Sequence, residues 1–101
     1  MVKNYSNRTR KHMTVVAYDI ANDRRRDKTV KLLEKYGQRI NYSVFECMLT
    51  RQQRKELQQN IEEIINEKED QIVLYNICVD CYAKTTYLPS NRERPHVVVV
   101  A

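Results

Sequence analysis

The sequence predicts an α+β fold: a βαββαβ sandwich with an extra C-terminal strand, assembled as a homodimer. Three observations carry this. Two β-branched apolar runs, Met13–Ile20 and Gln71–Cys78, read as strands. Two stretches between them have helical periodicity and recognisable caps. Between those helices, residues 38–49 alternate apolar and polar with one change of phase. Elements alternating in this way imply a sheet with helices on one face, and the split βαββαβ unit is the economical solution.

The elements follow in order. Residues 1–12 have no periodicity and carry four positive charges, which predicts a flexible basic tail. The domain proper is expected over 13–101. Met13–Ile20 is a buried strand with one acid, Asp19, near its end. Asn22 or Asp23 caps a helix running to about Tyr36, with Val30, Leu32, Leu33 and Tyr36 as its apolar face. Gly37 stands where a left-handed residue would end that helix. In 38–49, Ile40, Tyr42 and Val44 share one side, and Phe45, Cys47 and Leu49 continue one residue out of phase. This requires a bulge near Val44 or two short strands.

Thr50 opens the second helix, with Gln53 as capping-box partner. Its apolar stripe is Leu57, Ile61, Ile64 and Ile65. Gln71–Cys78 is the next strand, residues 79–96 are mixed, and Val97–Val100 is a last apolar β run. Nothing in the chain is left to cover the second face of the sheet. That bare face, with an exposed valine edge, predicts a dimer.

The chain has 101 residues, one domain's worth, and 42% are apolar. Net charge is +5 and uneven. Residues 1–55 hold 14 Lys and Arg against 5 acids, and residues 56–101 hold 4 against 8. A basic front half suits a phosphate-bearing partner, though a solvated surface would look the same. No apolar run reaches the ~20 residues of a membrane helix. Three cysteines is an odd number, which fits a reducing cytoplasm better than a disulfide framework. Phosphate-binding loops and metalloprotease motifs are absent, and the two histidines cannot complete a serine triad.

Three constellations remain. Asp19 is an acid in an apolar strand, costly to bury ionised unless it is paired or binds a metal. Its structural alternatives are capping the next helix or pairing with an arginine. One carboxylate is a poor Mg²⁺ site, but a two-fold axis nearby would supply the partner's Asp19. Next, Arg24, Arg25 and Arg26 lead into a helix on which Arg24, Lys28, Lys31 and Lys35 share one face. This is a cationic stripe, or an ordinary solvated face. Last, Cys78-Val79-Asp80-Cys81 is a lone C-x-x-C. With no helix predicted after it, two buried small residues are favoured over a zinc or redox site.

YDIANDRRR, GQRINYSVFECMLT and the IVLYNIC strand together resemble the CRISPR-associated protein two family over about Met13–Cys78. The resemblance implies a ferredoxin-like core and a homodimer with facing sheets, in which strand 97–101 adds to the partner's sheet. It implies metal-dependent endonuclease activity on single-stranded RNA or double-stranded DNA, with Mg²⁺ or Mn²⁺. It equally implies a non-catalytic bridge to the CRISPR integrase subunit during spacer acquisition. By position, Asp19 matches the family's metal-binding aspartate, with Ser43 and Phe45 beside it in the catalytic set. Arg26, Lys28 and Arg39 match basic positions, so the nucleic-acid set is Arg24, Arg25, Arg26, Lys28, Lys31 and Arg39.

Overall fold

A computed structural model describes residues 10–90. The tail over residues 1–9 and the valine run Val97–Val100, with its expected strand exchange, lie outside the described residues. The order is β1 (His12–Asp19), α1 (Asp23–Glu34), β2 (Gly37–Asn41), β3 (Val44–Leu49), α2 (Arg51–Ile64), β4 (Gln71–Ile77) and α3 (Val79–Ala83). The sheet order is β2-β3-β1-β4, with every neighbouring pair antiparallel. β1 and β2 are therefore parallel and split by β3, the arrangement of a ferredoxin-like βαββαβ fold. His12, expected in the tail, is the first residue of β1.

Cross-strand partners point to the same face of a sheet. Val16 and Tyr18 of β1 share a face with Phe45 of β3 and with Leu74 and Ile72 of β4. Leu33 of α1 and Leu57 and Ile61 of α2 close over that face and complete the core. The opposite face carries Val15, Ala17, Val44, Glu46, Val73 and Tyr75. Val73 and Tyr75 are exposed. The chain does cover part of this face, contrary to expectation. α3 packs against β1, and the buried Tyr87 donates its hydroxyl to the Glu46 carboxylate at 3.1 Å.

Local chemistry explains most boundaries. The Asn22 side chain accepts from Arg25 N–H at 2.9 Å, so Asn22 and not Asp23 caps α1. Thr50 and Gln53 form the reciprocal capping box that the sequence predicts for α2. The phase change over 38–49 resolves as two strands, with the register shift between Arg39 and Asn41 rather than at Val44. The mixed segment after β4 contains α3, whose N-cap is Cys78. Both Cys78 and Cys81 are exposed, which corrects the expectation of two buried residues. Among the described residues, no helix is long and apolar enough to cross a membrane.

Gly37 is also a correction. It has no positive φ and is not a left-handed helix cap. It opens β2 directly against β3, where a Cβ would meet the Glu46 carbonyl oxygen and lie 2.8 Å from Cys47 Cα. Both neighbours are backbone of the adjacent strand and cannot step aside. Gly37→Ala is expected to lower stability by about 1–3 kcal/mol, read as a shift in the urea midpoint at constant slope. An unchanged midpoint would mean that β2 does not pack this closely.

Candidate metal and nucleic-acid site

β1 is a central strand, so its C-terminal end emerges between β3 and β4. Asp19 is its last residue, opposite Gln71 of β4. Its neighbour Tyr18 points into the core, so alternation turns Asp19 to the open face. Asp19 is exposed, which corrects the picture of an acid within an apolar environment: no burial cost demands a counter-ion. Its carboxylate has no hydrogen-bond or ion-pair partner among the described residues. Asn22 makes the cap, and among the described residues no arginine pairs with Asp19, so neither structural alternative is seen there.

The surroundings of Asp19 are held rigidly. The Tyr18 hydroxyl donates to the Tyr42 carbonyl at 2.7 Å. Arg39 Nη2 donates to the Tyr18 hydroxyl oxygen at 3.2 Å and to the Tyr42 carbonyl at 3.0 Å. The Arg39 guanidinium carbon lies 5.9 Å from the centroid of the Phe45 ring. Tyr18 N–H donates to the Ser43 carbonyl at 3.0 Å, extending the β1–β3 ladder by one rung. Arg39, Ser43 and Phe45 are thus brought together around Tyr18, behind Asp19. Their placement differs from residue to residue. Phe45 is 0% exposed, so it supports the site from the core and cannot touch a substrate. Ser43 is half-buried, and its backbone N–H donates to Asn41 Oδ1 at 3.2 Å. The Tyr18 hydroxyl is the group that sequence reasoning missed, because its partners lie over twenty residues away.

The basic residues divide into two groups. Arg26 Nη1 donates to the carbonyls of Ile20 at 3.0 Å and Ala21 at 3.3 Å, and Nη2 pairs with Asp23. This clamps the turn immediately after Asp19. Arg25 is turned the other way. Its Nε donates to Asp70 Oδ2 at 2.7 Å and its Nη2 to Glu69 Oε1 at 2.8 Å. The Asp70 side chain is fully shielded. The Arg25 guanidinium, with the Asn66 N–H, holds its carboxyl below the usual carboxylate value. Arg25, Arg26 and Arg39, all expected to bind nucleic acid, therefore have donors committed within the fold. Arg24, Lys28 and Lys31 on α1 and Lys35 at its C-cap are exposed. Their spacing spans about 16 Å of helix.

Among the described residues, no three His, Cys, Asp or Glu side chains gather to hold a metal ion. One protomer offers Asp19 alone. Mg²⁺ typically takes one or two carboxylates with waters and substrate phosphates. A hard oxygen donor, exposed and otherwise unengaged, fits half of such a site.

Comparisons with known proteins agree on one family. The family model for "CRISPR associated protein Cas2" matches residues 12–85. A curated relative in Synechocystis sp., named CRISPR-associated endoribonuclease Cas2 3, is 51% identical over 61 residues, covering 60% of this chain and 66% of the relative. The chain thus spans just under two thirds of that relative's length. The crystal structure of Streptococcus pyogenes Cas2 at pH 6.5 superposes with a TM-score of 0.66 and 31% identity, covering 75% of this chain and 98% of that one. A chain of a partial Cas6-RT-Cas1–Cas2 complex gives a TM-score of 0.67 at 29% identity, covering 88% of this chain and 99% of that one. With the strand order and the family match in agreement, this chain belongs to the CRISPR-associated protein Cas2 family.

Proposed function

We propose that the protein is a homodimeric, divalent-metal-dependent endonuclease that binds RNA or double-stranded DNA in CRISPR spacer acquisition. The observation that carries this reading is the exposed carboxylate of Asp19 at the end of the central strand, without a side-chain partner among the described residues. The dimer is supported by the open sheet face, where Val73 and Tyr75 lie exposed beside Ala17. An isologous pairing of that face presents the same patch twice. Asp19 and the partner's Asp19 would then share one Mg²⁺ or Mn²⁺. When bound, such an ion polarises a phosphoryl oxygen and makes a nucleophile of water. Asp19 would hold the cation, Arg26 would keep the turn behind it in place, and the lysines of α1 would hold the nucleic-acid backbone. Relatives named as endoribonucleases favour RNA as the cleaved polymer.

The experiment is a titration of cleavage with Mg²⁺ and Mn²⁺ on single-stranded RNA and on duplex DNA. Cleavage should need the metal and stop on chelation. Cleavage that persists in excess chelator would refute the metal-dependent reading.

A second reading is a non-cleaving adaptor that bridges DNA to an integrase subunit. It is favoured by the free cationic stripe of α1 and by the likeness to a chain of a Cas1–Cas2 complex. Each phosphate neutralised on duplex DNA adds about 0.9 to the slope of log affinity against log salt. Replacing Arg24, Lys28, Lys31 and Lys35 together by Gln should reduce that slope by about 3–4 per chain. An unchanged slope would mean that α1 is not the DNA-binding face.

A further inference from the structure

One motif lies outside the proposed nuclease site. β4 ends at Ile77, and Cys78 caps α3, its Sγ accepting from the Cys81 N–H at 3.2 Å. Cys78 is the N-cap and Cys81 the third helical residue, so both thiols sit on one side of a single turn. Both are exposed. The third cysteine, Cys47, is buried in the core. Burial and the neighbouring Glu46 carboxylate push its thiol up to about 12. The chain therefore carries two adjoining accessible thiols and one inert thiol.

We propose that Cys78 and Cys81 form a reversible dithiol–disulfide couple that exchanges with small-molecule disulfides of the glutathione class. This is independent of the nuclease reading.

The structure supports an order of attack. The Cys78 sulfur receives the Cys81 backbone N–H at 3.2 Å, which holds its thiol below the usual value. The Cys81 thiol lies beside Cys78 and its developing charge, which holds it above the usual value. The Cys78 thiolate attacks one sulfur of glutathione disulfide, a mixed disulfide forms, and one glutathione thiolate leaves and takes up a proton. Cys81 then loses its proton and attacks Cys78 Sγ, and the second glutathione leaves. Two protein thiols are oxidised to one disulfide, and one glutathione disulfide is reduced to two thiols. The new bond spans the turn that the Sγ hydrogen bond already closes, so α3 can keep its place against β1.

The test uses the full chain, reduced, freed of reductant and equilibrated in graded glutathione buffers. It is then quenched with acid, alkylated and mapped by mass spectrometry. The wild type should lose two hydrogens, with Cys78 linked to Cys81 and Cys47 alkylated only after denaturation. Cys81→Ser should trap glutathione on Cys78 as a stable adduct. Cys78→Ser should form an adduct at Cys81 at least about tenfold more slowly. Glutathione adducts on the wild type without an internal disulfide would overturn the proposal, as would equal rates in the two variants. A zinc ion retained by the isolated protein, with both thiols protected until a chelator is added, would also overturn it. The pair would then be a metal ligand shared between copies.

Discussion

Asp19→Ala is expected to reduce cleavage by roughly 100-fold or more while leaving duplex affinity within about twofold of wild type. The two effects separate because the charges differ in location and sign. In the proposed function, Asp19 is the carboxylate that would bring a cation to the scissile phosphate. On the same proposal, affinity would rest on the exposed Arg24, Lys28 and Lys31 of α1 and on Lys35 at its C-cap. Removing a negative charge from the binding surface can only favour a polyanion. The fold should be unaffected, because Asp19 is exposed and among the described residues has no side-chain hydrogen bond that its loss would orphan. The check is a single-turnover cleavage assay beside a binding isotherm on the same preparation. Full cleavage by Asp19→Ala would remove the catalytic account. Loss of cleavage and binding together would show that Asp19 holds the shape of the surface instead.

Phe45→Ala is expected to cost about 3–5 kcal/mol of stability. Phe45 is the largest of the fully buried side chains and sits between β1 and the two helices. It lies against the Tyr18 ring, at 6.3 Å between centroids, and beneath the Arg39 guanidinium. Truncation would leave a cavity under Tyr18 and Arg39, whose side chains both hold the Tyr42 carbonyl beside Asp19. At this chain length each kcal/mol lowers Tm by about 4–8 °C, so the loss consumes much of a typical domain's stability. Phe45→Leu keeps most of the volume and should cost less than about 1.5 kcal/mol. Its activity per folded molecule should be close to wild type. Melts at matched protein concentration, with activity on the Leu variant, separate a core role from a catalytic one. A stable Phe45→Ala protein lacking activity would place Phe45 at the chemistry and contradict its burial.

What the sequence discloses depends on the range of the interaction. β1, β4 and the Thr50–Gln53 capping box are legible because a few consecutive residues decide them. Gly37 is misread as a helix terminator because its constraint is the backbone of β3, which no local pattern reveals. Arg25 reads as a free cation because Asp70 and Glu69 lie more than forty residues away. α3 is missed for two reasons: five residues are too few for periodicity, and Cys78 is not a usual N-cap residue. At the site, Asp19 is found through the family resemblance and its place at a strand end. Its exposure is not legible, because alternation along β1 does not say which face the helices will cover.

The central claim is that Asp19 shares one metal ion with the partner's Asp19. The most direct measurement is Mn²⁺ binding followed by electron paramagnetic resonance and calorimetry on the full chain. The result predicted is one ion per two chains, lost in Asp19→Asn with the dimer intact by sedimentation. One ion per chain, or an ion that persists in Asp19→Asn, would contradict the shared site.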